Sequence, residues 1–150
     1  NKISSSAIRE NLKSGKFELA NKDLERNFSV AGKVIKGDQR GRTIGIPTAN
    51  LEYPLNTITI PYGVYAVETI IEGNTYFGIV NFGIRPTFNK DKPIVEAYLF
   101  DFDNDIYGKN IEILFHKQIR QEKKFNDIKE LLNQINIDIA EAKKILKYGN

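Results

Sequence analysis

The chain has no cysteine and one histidine in 150 residues. Disulfides, thiol nucleophiles and thiolate metal sites are therefore excluded, and no histidine pair can bind zinc. No apolar run is long enough to span a bilayer as a helix. No secretory signal pattern, internal repeat or low-complexity tract is visible. The strings GxxxxGKS, GxxxxGKT and GxSxG are missing, which excludes a Walker A loop and a hydrolase nucleophile elbow. Lys and Arg number 22 against 19 Asp and Glu, a formal net charge of +3. That excess is too small to imply a nucleic-acid partner by itself. Hydrophobic residues at 41% and charged residues at 27% are ordinary for a globular protein with one core. The expectation from these absences is a cytoplasmic chain with no membrane partner.

Positive charge concentrates in two places, residues 33–42 and 116–124. The first lies in Gly32-Lys-Val-Ile-Lys-Gly-Asp-Gln-Arg-Gly-Arg-Thr-Ile-Gly-Ile-Pro-Thr-Ala-Asn-Leu51. Gly37, Gly41 and Gly45 allow close backbone approach to an anion, and successive N–H groups in such loops form anion sites. Arg40 and Arg42 offer bidentate phosphate contacts. Thr48 and Asn50 are hard oxygen donors two residues apart, suited to Mg²⁺ that shares its shell with phosphates and water. Taken alone, the loop also reads as a solvated basic turn.

Residues 1–26 read as two short helices broken at Ser14-Gly15, with Ser4, Ser5 or Ser6 as N-cap. From residue 28 to 116 the pattern changes to strands. Residues 64–71 and 75–80 flank Glu72-Gly73-Asn74 as a hairpin. Residues 94–102 and 111–116 are expected to pair around Asp103-Asn104. No long helix separates the strands, so an antiparallel sheet or small closed barrel is expected. Apolar residues from Ile128 to Leu146 recur at three- and four-residue steps, a helical stripe. Asn126 is a cap candidate for its start, and Asp138 for a second segment after a kink near Asn136.

Glu96 lies in Ile94-Val95-Glu96-Ala97-Tyr98-Leu99-Phe100 and shares a strand face with Ile94, Tyr98 and Phe100. A carboxylate on an apolar face is costly unless partnered. A solvent-facing glutamate and a functional one both fit this pattern. Residues 101–112 resemble a calcium loop, but Ile106 stands where its glycine is required and the flanks are strands, so a hairpin loop is expected.

Five strings in order resemble the riboflavin kinase family: the 32–51 stretch, Pro61-Tyr-Gly-Val-Tyr65, Asn81-Phe-Gly-Ile-Arg-Pro-Thr-Phe88, Glu96-Ala-Tyr-Leu-Phe-Asp-Phe102 with Asp105-Ile-Tyr-Gly108, and Ile119-Arg-Gln-Glu-Lys-Lys-Phe125. The resemblance implies a mainly β fold, a six-stranded antiparallel Greek-key barrel with a C-terminal helix, over residues 27–150. It implies ATP-dependent phosphorylation of riboflavin to FMN and ADP. Glu96 stands at the family's catalytic glutamate, and Thr48 and Asn50 at its Mg²⁺ ligands. Gly37 and Arg42 (with Arg40 the alternative), Thr48, Tyr98 and Tyr107 fall on the ATP side. Arg120, Lys123 and Phe125 fall on the riboflavin side, in a flap leading to the last helix. Ile3-Ser-Ser-Ser-Ala-Ile-Arg9 resembles the end of the adenylyltransferase module of bifunctional FAD synthetases. That module's HxGH-like string does not occur here, so residues 1–26 are expected to be the tail of a missing N-terminal module, and no FAD synthesis is expected. The alternative is a non-catalytic basic barrel that binds flavin, or single-stranded nucleic acid through Tyr62, Tyr65, Tyr76, Phe77 and Phe82.

Overall fold

The computed structural model describes residues 5–35, 48–54, 57–86, 91–102 and 104–149. Two helices, α1 (Ser5–Lys13) and α2 (Phe17–Leu24), precede six strands: β1 (Ser29–Lys33), β2 (Ala49–Glu52), β3 (Gly63–Ile71), β4 (Asn74–Pro86), β5 (Asp91–Leu99) and β6 (Asn110–Gln121). The chain ends in one long helix, here α3 (Ile128–Leu146). The strands form one antiparallel sheet in the order β1-β6-β3-β4-β5-β2. An isolated bridge between Ile35 and Asn50 brings the two edges together, with the Ile35 N–H donating to the Asn50 carbonyl at 2.8 Å. The expected six-stranded barrel is therefore present and nearly closed.

The β3–β4 hairpin forms as expected. Its turn residues, Glu72 and Gly73, both have positive φ, the twist that suits a two-residue hairpin. The expected pairing of residues 94–102 with 111–116 does not occur. β4 and β2 occupy the two edges of β5, and β3 and β1 occupy those of β6, so residues 100–109 cross between non-adjacent strands. The last strand also continues through Gln121 rather than ending at His116, because β3 supplies hydrogen-bond partners as far as Gly63.

The sheet buries both faces. The interior holds Tyr65, Val67, Val80, Phe82, Val95, Ala97, Ile113 and Phe115. Leu12, Phe17 and Ala20 of the N-terminal helices join that same cluster. Phe17 meets Tyr65 edge-on at 5.1 Å between centroids, and Tyr65 meets Phe115 likewise at 5.2 Å. Asn21 ties α2 to the barrel, donating to the Phe115 carbonyl at 2.8 Å and accepting from the Phe28 N–H at 2.7 Å. Burial raises the Tyr53 and Tyr65 hydroxyls well above the ordinary tyrosine range, and these donate to the carbonyls of Ile58 and Pro61.

On the outer face, Val64, Ala66, Ile79 and Tyr98 pack against Leu131, Ile135 and Ala142 of α3. This helix is continuous, with no break near Asn136. Its N-cap is Asp127, whose carboxylate accepts from the Glu130 N–H, rather than Asn126. Asp138 caps nothing. It lies on the buried face in step with Leu131, Ile135 and Ala142 and is 1% exposed.

Gly63 opens β3 at φ +150°, and a Cβ there would lie 2.2 Å from the Arg120 carbonyl oxygen. Gly63→Ala is expected to cost at least ~2 kcal/mol from backbone strain and clash together, read as a lowered urea midpoint.

Candidate functional site

Strand register assembles the site. Glu96 lies directly across from Asn50 on β2 and from Asn81 on β4. Asn81 is opposite Val64 on β3, and Val64 is opposite Arg120 on β6. Paired residues share a sheet face, so Asn50, Glu96, Asn81, Val64 and Arg120 form one transverse row on the outer face, the face that carries α3. Neighbouring strands are about 4.8 Å apart, so Glu96 and Arg120 are separated by roughly 14 Å of sheet.

Two bulges place Arg120 on this row. Continuing the Val67–Phe115 register without interruption would set Gln118 across from Val64. The pairing instead skips His116 and Ile119, which moves Arg120 into that place.

Glu96 is 3% exposed and Asn50 8%. The Tyr98 hydroxyl donates to Glu96 Oε1 at 3.1 Å. A buried carboxylate is tolerable only with such partners. Tyr98 is itself buried, its ring within the cluster under α3. The β4 backbone comes close enough to fix the tyrosine's strand: a Cβ on Gly78 would lie 2.2 Å from the Tyr98 carbonyl oxygen.

Thr48 is half-buried immediately before β2, and Asn50 is within that strand. The threonine hydroxyl and the asparagine amide are hard oxygen donors, and the described residues contain no group of three His, Cys, Asp or Glu side chains that could cage a metal. Asn81 Oδ1, on the same row, is buried without a hydrogen-bond partner. Two hard oxygen donors so placed suit Mg²⁺ that takes its remaining ligands from phosphates and water. Gly37, Arg40 and Arg42 lie outside the described residues.

Tyr107 is 61% exposed in the turn before β6, where its N–H donates to Asp105 Oδ1 at 2.9 Å. The next residue, Gly108, donates to the Val34 carbonyl at 2.9 Å. Tyr107 therefore stands beside the end of β1, near the Ile35–Asn50 bridge.

Arg120, Lys123 and Phe125 converge where β6 leads to α3. The guanidinium carbon and the Lys123 ammonium lie 5.7 Å and 5.9 Å from the Phe125 ring centroid. Arg120 also has a structural partner that the sequence did not reveal. Its Nε meets Asp138 Oδ1 at 2.9 Å and its second guanidinium nitrogen meets Oδ2 at 2.9 Å, a two-point pairing. Gln134 Nε2 adds a bond to Asp138 Oδ1 at 3.0 Å. Asp138 is thus not the cap that the sequence suggests: its partner lies 18 residues earlier, in a strand. His116, the single histidine, pairs with Glu68 at 2.7 Å. The 101–109 connection carries no metal-binding cluster among its described residues.

Comparisons with known proteins identify the family. A family model described as Flavokinase: Riboflavin kinase matches residues 24–146. The bifunctional riboflavin kinase/FMN adenylyltransferase of Bacillus subtilis is 49% identical over 144 residues, covering 94% of this chain and 46% of that protein. Among solved structures, a macrolide-efflux protein from Streptococcus pneumoniae superposes with a TM-score of 0.86 at 34% identity, over 95% of this chain and 46% of that one. The riboflavin kinase from Trypanosoma brucei superposes at 0.56 and 20% identity, over 81% and 80% of the two chains, a likeness of fold. The chain belongs to the riboflavin kinase family, and residues 24–146 are its riboflavin kinase domain. It spans about half the length of the curated relatives it matches.

Removing Asp138 would leave the Arg120 charge half-buried and unpaired. Asp138→Ala is expected to cost ~3–5 kcal/mol, and the apolar pair Arg120→Met with Asp138→Leu to recover most of it, both measured by denaturant unfolding.

Proposed function

We propose that this domain transfers the γ-phosphoryl group of ATP to the 5′-hydroxyl of riboflavin's ribityl chain, giving FMN and ADP. One observation carries the reading: the register that sets Asn50 across from buried Glu96, in a chain whose residues 24–146 match the riboflavin kinase family. Phosphoryl transfer needs a phosphate cradle, a cation and a group that takes the acceptor's proton. Thr48 and Asn50 would hold Mg²⁺, which when bound offsets the negative charge of the triphosphate. Glu96 takes the proton of the 5′-hydroxyl as that oxygen bonds to the γ-phosphorus, and the bridging oxygen leaves with ADP. Tyr98 fixes the Glu96 carboxylate through its hydroxyl and would lie near the nucleotide. Gly37 and Arg42 would contact the phosphates, and exposed Tyr107 would flank the nucleotide. Phe125 with Arg120 and Lys123 offers a flat apolar and cationic surface for the flavin ring.

The nucleic-acid alternative is not favoured. Among its proposed stacking residues, Tyr65 and Phe82 are fully buried in the barrel. We carry over the kinase rather than the efflux name of the Streptococcus structure, because the family model is that of riboflavin kinase. The FMN adenylyltransferase named in the longer relatives is not assigned to these residues. No helix of the described residues is long and apolar enough to cross a membrane, and we retain a cytoplasmic location as part of the proposal.

Incubation with riboflavin, ATP and Mg²⁺, followed by chromatography of the flavins, is expected to yield FMN with ADP and no FAD. Glu96→Gln should lower kcat by ~10²–10⁴ if the carboxylate is the base; near-normal turnover would remove that role. Thr48→Ala should raise the Mg²⁺ needed for half-maximal rate about tenfold, as expected when ~1.4 kcal/mol of ligation is lost. An unchanged Mg²⁺ dependence would remove Thr48 from the metal site.

A further inference from the structure

We propose that Asn81 is a substrate-contacting residue whose amide oxygen accepts a hydrogen bond from a hydroxyl of the acceptor's polyol chain, and so selects flavins that carry that chain. The inference rests on the kinase reading above and deepens it.

Asn81 Oδ1 is one of two buried side-chain atoms without a hydrogen-bond partner among the described residues. A buried acceptor with no donor bears its full desolvation cost, and native proteins leave few such atoms without a reason. The other such atom, the Thr69 hydroxyl oxygen, is on the interior face of β3 opposite Tyr76 and Ile113, away from any candidate chemistry. Asn81 instead occupies the place between Glu96 and Val64 on the outer row.

The order along the row gives the amide its meaning. It runs from a metal-ligand candidate (Asn50) to a carboxylate (Glu96), an acceptor without a donor (Asn81), an apolar residue (Val64) and then Arg120 beside Phe125. A ligand that matches has a terminal hydroxyl at one end, further hydroxyls next to it and a flat apolar ring at the other. A polyol carried on an aromatic ring system has that order. Asn81 lies one strand spacing from Glu96, about 4.8 Å, within reach of a hydroxyl on the same short chain. Being neutral, it can stand beside Glu96 without opposing its charge, which an aspartate would do.

The test compares two probes. Riboflavin carries the ribityl chain; lumiflavin has the same ring with a methyl group in its place. Both are titrated by flavin fluorescence into the unsubstituted chain and into Asn81→Leu, with Mg²⁺ and ADP present. The ratio of riboflavin to lumiflavin affinity is expected to fall about fivefold in Asn81→Leu, the effect of one hydrogen bond, while lumiflavin binding is retained. The unfolding midpoint should hold or rise, because the orphaned acceptor is gone. If the leucine variant does not fold, Asn81→Ser, too short to reach the chain, should give the same fall. An unchanged ratio, or an equal loss for both flavins, would overturn the proposal and make Asn81 a structural residue. If the unsubstituted chain binds neither flavin and makes no FMN, the kinase reading fails, and this proposal with it.

Discussion

The register of β5 against its two neighbours is the constraint on which the site depends. Glu96 faces Asn50 on one side and Asn81 on the other because β5 pairs with β2 and β4 in one fixed alignment. Side chains alternate along a strand, so a slip by one residue would turn Glu96 and Tyr98 into the barrel and bring Val95 and Ala97 out. Burial of Val95 and Ala97 in the interior cluster opposes that slip. The hydrophobic interior thus sets the position of a carboxylate on the other face. The closing bridge from Ile35 to Asn50 extends the same control to the residues on either side of the basic glycine segment.

The opposite end of the row is set differently. There an ion pair, rather than strand alternation, joins strand to helix. Asp138 sits in the apolar stripe of α3 and receives Arg120 in two-point geometry, with Gln134 supporting it. A buried pair of this kind adds little net stability compared with apolar residues of the same shape, but leaving one member alone is costly. It therefore fixes where α3 lies over β6 and where Phe125, just before the helix, comes to rest. The same geometry occupies much of the Arg120 guanidinium, leaving its face toward Phe125 as the part that can meet a ring.

Much of this was legible in the residues. The apolar, β-branched run of β3, the Glu72-Gly73 turn and the helical stripe from Ile128 each follow from local periodicity and turn chemistry, which act over a few residues. Thr48, Asn50 and Glu96 could be named because their strings are distinctive and ordered. What stayed hidden depended on partners far along the chain. The crossing of residues 100–109 between non-adjacent strands, the length of β6, the use of Asp138 and the position of Asn81 have no local signature. Asn81 reads in sequence only as the first residue of a family string, and Asp138 as a cap.

Residue types and spacings of a few residues specify the antiparallel barrel class, the helical ends, the absence of thiol or histidine-pair chemistry and the candidate donors of a phosphoryl-transfer site. Which donors face one another follows from strand pairing across the whole sheet. Hydrogen-bonded register and two bulges in β6 bring residues 50, 96, 81, 64 and 120 into one row. Such a row is a property of strand pairing: each alignment is fixed by the burial of two faces together, and no short segment carries that information.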